Sequence, residues 1–291
     1  MMLLPVEPRI IRVPYEEGAF WRKGTKDGPD AVLREFFKLR EFSLMAGRRL
    51  SHKRAEFEFP APPIQPYSKI QSLRQIEESI QSLLASGHAP VVLGGDHSIT
   101  LPVVRALASV YGRQSFGVLH IDAHSDTFDP VDGFKYHHGA VFRNIVEEGL
   151  VCPSDIHQFG IRGLIRGDGL SFADQNGICY VLMQHFRAAD CRIAAFCPAS
   201  EKPYYLSIDI DAIDPAFAPG TGIPVPGGLT SAEMLSVVNQ IREYRIIGMD
   251  LVEVAPTYDI SNITVLLAAH IIFESLVGIS FVQIKEGRPS C

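Results

Sequence analysis

Residues 116–126, Phe-Gly-Val-Leu-His-Ile-Asp-Ala-His-Ser-Asp, join a short apolar run to a group of acidic and imidazole side chains. The run is typical of a buried β-strand, and the polar residues begin where that strand should end. Four other apolar runs have the same character, at 91–93, 157–161, 204–208 and 246–249. Apolar residues at three- and four-residue spacing predict helices at 70–84, 99–110, 139–147, 231–244 and 262–276. This alternation predicts an α/β fold of three layers, α-β-α, with a largely parallel central sheet.

Polar side chains that can bind metal or substrate follow four of the predicted strands. They are Asp96 and His97, then Asp122, His124 and Asp126, then Asp209 and Asp211, then Glu253. Loops at the carboxyl ends of parallel strands share one crevice, so we expect these groups to meet although the chain separates them widely. Side chains two apart in an extended segment face the same way, so each Asp-x-His or Asp-x-Asp pair points to one side.

The charge of this group indicates a metal site. Carboxylates that converge without a neutralising lysine or arginine repel one another in a partly buried crevice, and divalent cations remove that cost. Oxygen ligands with two imidazole nitrogens and no sulfur suit Mn²⁺ better than a structural zinc site, and two bridged ions lower the pKa of a shared water. Each motif alone has a plainer interpretation, since an Asp-x-Asp after a strand is usually a turn or cap and a lone His97 is equally explained as a core histidine. The combination of three segments favours two metals.

Composition narrows the class of function. The 291 residues carry a formal charge of −6, which argues against a nucleic-acid surface and favours a small cationic substrate. The five cysteines show no Cys-x-x-Cys spacing, which fits a reducing compartment. The start of the chain lacks a basic signal segment, and no apolar stretch approaches the roughly 20 residues that span a bilayer. The sequence thus predicts one cytoplasmic catalytic domain over residues 1–291, with no membrane association.

The motifs resemble those of the ureohydrolases, the family of arginases and agmatinases. The matching stretches are Gly-Gly-Asp-His-Ser at 94–98, Asp-Ala-His-Ser-Asp at 122–126, Ser-Ile-Asp-Ile-Asp-Ala-Ile-Asp-Pro at 207–215, Ala-Pro-Gly-Thr-Gly at 218–222, and Asp-Leu-Val-Glu-Val-Ala-Pro at 250–256. Residues 24–33 resemble the glycine- and proline-bearing N-terminal segment of the family, so the resemblance covers nearly the whole chain. It implies an arginase/deacetylase-like fold and a homo-oligomer, a trimer or hexamer.

The resemblance also implies roles for single residues. Two Mn²⁺ ions per chain, or other divalent metals in their place, are expected to bind His97, Asp122, His124, Asp126, Asp209 and Asp211. Asp126 is expected to pass on the proton of the attacking water, His138 to protonate the leaving nitrogen, and Glu253 to hold the guanidinium group. His137 is the weaker candidate for the acid, and His120 is expected beside the ligands rather than among them. The implied reaction is hydrolysis of a guanidino compound to urea and an amine.

Agmatine, cleaved to putrescine and urea in polyamine biosynthesis, is the predicted substrate. The stretches at 218–222 and 250–256 look agmatinase-like, and Phe128 stands where arginases have an amide that contacts the head group of arginine. Ile223 and Ala140 depart from the agmatinase pattern, which has threonine at both positions. Another guanidino acid, such as guanidinobutyrate or guanidinopropionate, is therefore the alternative substrate.

Two other functions fit parts of the pattern. A deacetylase of the same fold uses a single zinc ion, but the combination of His97 and Asp126 argues for two metals. A non-catalytic paralogue would keep the metals for stability alone, but it would not need both His138 and Glu253.

Overall fold

The computed structural model describes residues 2–50, 57–65, 68–165 and 169–285. Its strands are β1 (Met2–Pro5), β2 (Pro8–Val13), β3 (Phe42–Ser43), β4 (Arg48–Arg49), β5 (Glu58–Phe59), β6 (Ala89–Gly94), β7 (Gly117–Ile121), β8 (Ile156–Ile161), β9 (Cys179–Leu182), β10 (Tyr204–Asp209), β11 (Ile246–Val252) and β12 (Val282–Lys285). Its helices are α1 (Gly28–Phe36), α2 (Lys69–Ala85), α3 (Thr100–Tyr111), α4 (Val141–Glu147), α5 (Ser171–Asn176), α6 (Met183–Ala188), α7 (Ser231–Gln240) and α8 (Ile263–Gly278).

Eight of the strands in the described ranges form one parallel sheet, in the order β5-β2-β6-β11-β10-β7-β8-β9. Strands β6, β11, β10 and β7 occupy its centre. They are buried on both faces, which explains why they are continuous apolar runs rather than alternating ones. Two short antiparallel pairs, β1 with β12 and β3 with β4, lie outside this sheet.

Helices cover both faces of the sheet and produce two hydrophobic cores. One core joins the sheet to α1, α6, α7 and α8, and the other joins it to α2, α3, α4 and α5. Helix α8 packs against α1 and α7 and is buried almost all round, in keeping with its nearly uniform apolar sequence. The predicted three-layer α/β fold is confirmed.

Local sequence signals fix where two of the helices begin. Ser68 precedes α2, and its hydroxyl accepts a hydrogen bond from the Gln71 N–H. Thr230 and Glu233 form a reciprocal capping box at the start of α7, which satisfies two N–H groups that the helix itself leaves unpaired.

The structure differs from the predicted elements in several places. Strands β2, β5 and β9 and helix α1 join the fold without a prediction, and the segment 231–244 leaves α-helical geometry after Gln240 for a short 3-10 turn. Ile70, on the predicted apolar stripe of α2, is 50% exposed, because it lies in the first turn of the helix. No helix within the described ranges is both long and apolar enough to cross a membrane.

Candidate active site

The predicted site residues come together at the carboxyl ends of the four central strands. Asp96 and His97 follow β6, the 122–126 segment follows β7, Asp209 ends β10, and Glu253 follows β11. The turn after β6 requires glycine at position 95, because an added Cβ would lie 1.8 Å from the Tyr15 carbonyl oxygen. Asp126 and Glu253 both have positive φ, at 49° and 63°, a strained conformation for non-glycine residues that is concentrated at functional positions.

His97 stands at the centre of one half of the site. Its Nδ1 lies 2.9 Å from Asp126 Oδ2, 3.2 Å from Asp122 Oδ2 and 3.3 Å from Asp209 Oδ2. All four side chains are buried, and the groups that could hold an ion include His97, Asp122 and Asp126. Three carboxylate oxygens and one imidazole nitrogen that meet in this way form a group that could bind a cation.

The protonation state of His97 tests whether a cation fits. Its Nε2 lies 2.9 Å from Ser207 Oγ, and that hydroxyl donates its own proton to Asp250 Oδ1 at 2.7 Å. Ser207 can therefore only accept from His97, which places a proton on Nε2 and leaves Nδ1 as the ring nitrogen that faces the carboxylates. Nδ1 is buried and makes no hydrogen bond to a described residue. Burial lowers the pKa of His97, but the carboxylates of Asp122, Asp126 and Asp209 outweigh burial and raise it well above its usual range. The site therefore favours a positive charge at Nδ1, and a metal ion bound to the neutral ring would supply that charge in place of a proton, so the residues fit a metal.

The second half of the site is built around His124. Its Nδ1 lies 3.0 Å from Asp211 Oδ2 and 3.5 Å from Asp122 Oδ1, and Asp122, His124 and Asp211 form a second group able to hold an ion. Asp122 belongs to both groups. The two halves therefore share the carboxylate of Asp122, as expected where one carboxylate can serve two metal ions.

The carboxylates of the site are crowded, and their acidity reflects it. Burial, and then the charges of Asp211 and Asp122, raise the pKa of Asp209 well above its usual range. Burial also raises the pKa of Asp211 to about 6, against the opposing charge of His124. Divalent ions would offset this repulsion.

His120 lies next to the cluster, and the ring nitrogen that contacts the cluster, Nε2, carries a proton. Its Nδ1 accepts from Gln158 Nε2 at 3.1 Å, and the same amide nitrogen donates to the Ser125 carbonyl oxygen at 2.7 Å. His120 Nε2 therefore carries the proton and donates it to Asp122 Oδ2 at 2.8 Å. His120 belongs to one of the groups that could hold an ion, but its hydrogen bond to Asp122 would suit the expected role of orienting that ligand.

Glu253 and His138 form a pair on the open side of the cluster. Glu253 Oε1 accepts from the main-chain N–H of His97 at 2.8 Å and lies 2.9 Å from His138 Nδ1. Burial lowers the pKa of His138, but the Glu253 carboxylate outweighs burial and raises it to about 9. His138 Nε2 is buried without a partner among the described residues, and both side chains line the pocket above the cluster.

Apolar groups line the rest of this pocket, a cavity of about 30 Å³. Phe20, Phe128, Gly139 and Ile223 form its walls beside the polar cluster. The Phe20 ring packs edge-on against His138, with ring centroids 4.5 Å apart. A Cβ on Gly139 would lie 3.0 Å from Phe128 Cδ2 and 3.6 Å from Phe20 Cε1, so the two rings converge above this glycine.

Asp96 follows β6 just as the predicted ligands follow their strands, but its carboxylate accepts hydrogen bonds from the protein instead. Its Oδ2 accepts from the N–H groups of Gly18 and Ala19 at 2.7 and 2.9 Å, and Oδ1 accepts from Ser98 N and Oγ. Asp96 therefore fixes the loop that carries Phe20 to the pocket.

All six predicted metal ligands lie in the two groups or in contact with them, and Phe128, His138 and Glu253 line the pocket. His137 points away, with its Nε2 3.0 Å from the Asp129 carbonyl oxygen. Sequence reasoning gave no role to Ser207, although it precedes Asp209 by two and strand alternation places both on one face. Gln158 and Asp250 were missed as well.

Known proteins share this sequence and fold. A family model described as "Arginase family" matches residues 7–278. The mitochondrial agmatinase of Gallus gallus is 37% identical, with 95% of this chain and 84% of that protein aligned. The mitochondrial guanidino acid hydrolase of Homo sapiens is 36% identical, over 96% and 82%. The solved structure of proclavaminate amidino hydrolase from Streptomyces clavuligerus superposes with a TM-score of 0.85 at 32% identity, over 95% of this chain and 92% of that one.

Proposed function

The chain belongs to the arginase family and is an amidinohydrolase of guanidino compounds, and we propose that it cleaves agmatine to putrescine and urea. The observation that carries the proposal is the pairing of Glu253 and His138 directly above a carboxylate cluster that calls for cations. Among side chains, a carboxylate is the natural partner of a planar guanidinium, and a histidine is the natural proton donor at neutral pH.

The family depends on two metal ions, and we propose manganese for this chain. His97 and Asp126 would hold one ion and His124 and Asp211 the other, with Asp122 and Asp209 shared between them. When bound, two divalent ions neutralise the carboxylates and lower the pKa of a water that they share. Oxygen-rich ligation without sulfur favours manganese over zinc.

The side chains of the pocket can bind and orient the substrate. Glu253 Oε1 is already held by the His97 N–H, while Oε2 accepts no hydrogen bond from a described residue and faces the side of Gly222, where an added Cβ would lie 3.7 Å away. Glu253 would therefore offer a fixed, unengaged oxygen to the guanidinium. The walls formed by Phe20 and Phe128 are apolar and aromatic and would suit a planar group.

Two residues would move protons. Asp126, within the cluster, would accept the proton of the attacking water. As the carbon–nitrogen bond breaks, the leaving nitrogen needs a proton to depart as an amine. His138, which lines the pocket and whose Nε2 has no partner among the described residues, would supply it. One water is consumed, and urea and the amine are the products.

A guanidino acid is the second candidate substrate. Ile223 forms part of the wall, and Ala140 is fully buried close by, so both hydroxyls of the agmatinase pattern are absent. The human relative carries the name guanidino acid hydrolase. These two observations favour guanidinobutyrate or guanidinopropionate as the alternatives to agmatine.

Compartment, domain and assembly remain proposals from the sequence. We propose that residues 1–291 act as one catalytic domain, in the cytoplasm, as a trimer or hexamer. Two of the relatives named above are mitochondrial proteins, so the compartment is to be measured by localising the full chain.

Urea release tests the proposed function. The protein is stripped with a chelator, loaded with Mn²⁺ and offered agmatine, guanidinobutyrate, guanidinopropionate, arginine and guanidine. We expect urea from agmatine at the highest kcat/KM, none from the stripped protein, and none from Glu253→Gln, which keeps the shape of the side chain but loses its charge. Two bound metals without urea from any compound would support a non-catalytic paralogue, and one zinc with amide cleavage would support a deacetylase.

A further inference from the structure

Arg162 is a partly buried cation whose guanidinium hydrogen-bonds only to main-chain carbonyl groups among the described residues. Its Nη2 donates to Asp211 O at 2.6 Å and to Val225 O at 2.7 Å, and its Nη1 donates to Ala212 O at 3.1 Å and Gly160 O at 3.3 Å. Its Nε lies 3.2 Å from Val225 O. Burial lowers the pKa of this guanidinium. Removing a cation from water is costly, so such an arrangement calls for a role beyond surface charge.

The backbone of the same residue contacts a different ligand segment. Arg162 N–H donates to Ala123 O at 2.9 Å, between Asp122 and His124. Gly160, with φ of 100°, lets the chain pass so close that an added Cβ would lie 2.8 Å from Asp122 O. The backbone of 160–162 therefore supports the loop after β7, while the Arg162 side chain supports the turn after β10.

These two segments supply the second half of the metal cluster. His124 comes from the first and Asp211 from the second, and their ligand atoms are 3.0 Å apart. We propose that Arg162 is a positioning residue that holds the Asp122, His124 and Asp211 group in register, an inference that rests on the two-metal function proposed above. Arg162 makes no hydrogen bond to His97 or Asp126, and the first half shares only Asp122 with the group that Arg162 holds, so the first half should depend on Arg162 less than the second half does.

The electrostatic effect of Arg162 has the opposite sign from its positioning effect. The guanidinium lies close enough to Asp211, Asp122 and Asp209 for its charge to interact with theirs. If charge alone mattered, its removal would strengthen the binding of a divalent cation to these carboxylates. If positioning dominates, removal weakens binding at the second site, because the five donors of arginine in a fixed plane are what joins the loops.

Metal titration of the full chain distinguishes these cases. The stripped protein, Arg162→Ala and Arg162→Lys are each titrated with MnCl₂, and the number of sites and their affinities are measured by calorimetry. The control is Arg187→Ala, because Arg187 also donates to a carbonyl of the adjoining loop, Gly228 O at 2.6 Å, but does not contact residues 211–212. We expect Arg162→Ala to keep one site near wild-type affinity and to bind the second about 10- to 100-fold more weakly. Arg162→Lys keeps an amine donor that can reach some of these carbonyl groups but not all of them at once, so it should fall between, and Arg187→Ala should match wild type.

Three results would overturn the inference: unchanged affinity at both sites, tighter binding, or equal weakening of both. Circular dichroism checks the fold of each variant. If Arg162→Ala does not fold, Arg162→Lys decides, since a weakened second site supports the positioning role and two wild-type sites refute it. A wild-type chain that binds fewer than two ions would instead contradict the proposed function.

Discussion

The imidazole of His138 is engaged at one nitrogen and free at the other, so this single residue carries much of the proposed chemistry. Its Nδ1 contacts Glu253, its Nε2 has no partner in the described part of the chain, and the residue lines the pocket. We predict that His138→Asn lowers kcat about 100- to 10,000-fold, because the leaving nitrogen loses its proton donor, while both metals stay bound. Steady-state urea release and metal analysis measure this.

The neighbouring histidine provides the control for that variant. His137 contacts the Asp129 carbonyl oxygen, so His137→Asn should retain most of the activity. Equal losses in the two variants, or none in His138→Asn, would refute the role of His138.

Phe20 controls the width of the pocket. Its ring packs on His138 and converges with Phe128 above Gly139, although half of its surface is exposed. We predict that Phe20→Ala widens the pocket and raises the kcat/KM of arginine relative to agmatine about 10-fold or more, because pocket size discriminates by that order. Trp21→Ala, at an exposed aromatic that does not line the pocket, is the control. An unchanged ratio in Phe20→Ala would show that the ring does not select substrates.

Most of the ligand residues could be predicted because they directly follow apolar runs and lie two positions apart, so that their side chains face the same side. The residues that orient them could not. Gln158 acts through His120 and Arg162 acts through main-chain oxygens, and both are defined by strands that pair only after folding. Asp96 shows the reverse case, since it shares the position of the ligands but serves the backbone of Gly18 and Ala19.

At the scale of elements, the long loop between β10 and α7 contains Ile223, which lines the pocket. Asp214 joins the two ends of this loop through hydrogen bonds. The Asp214 carboxylate accepts from Gly227 N at 2.6 Å, Gly228 N at 3.2 Å and Ala216 N at 2.9 Å. Burial raises the pKa of Asp214, but these N–H groups outweigh burial and hold it below its usual range. The ionised side chain therefore stabilises the folded loop.

We predict that Asp214→Asn lowers the free energy of unfolding by roughly 0.5–1.5 kcal/mol at pH 7, because solvent screens part of the charge in these hydrogen bonds. A pKa that folding depresses contributes stability above the unfolded value of about 3.9 and loses it as the pH falls below that value. The difference from wild type should thus shrink at pH 3. Urea unfolding at both pH values measures it, with exposed Asp190→Asn as control. A difference that persists at pH 3 would show that the charge is not responsible.

Predictability of the strands followed burial and apolar pattern. The central strands β6, β7, β10 and β11 are apolar and buried on both faces, and they were predicted. Strand β2 has arginines at both Arg9 and Arg12, and β9 has only four partly exposed residues, so neither has a clear apolar pattern. Their place in the sheet comes from pairing with β6 and β8, which no local signal encodes.

For the molecule as a whole, metal binding and folding should be linked. A ligand that binds only the folded state stabilises it by about 4 kcal/mol at 1,000 times its dissociation constant. The crowded, buried carboxylates add repulsion when the ions are removed. We predict that chelation lowers the melting temperature by on the order of 10 °C and that Mn²⁺ restores it. Asp209→Ala should show little response to Mn²⁺, and a wild-type chain with the same melting temperature in both states would contradict the linkage.

The proposed function depends on the binding of two metal ions by the cluster of histidines and aspartates. Crystals of the full chain grown with MnCl₂ and measured at the manganese absorption edge test it most directly. We predict two anomalous peaks roughly 3.5–4 Å apart, one beside His97 and Asp126 and one beside His124 and Asp211. A single peak, or none at the cluster, would contradict the account.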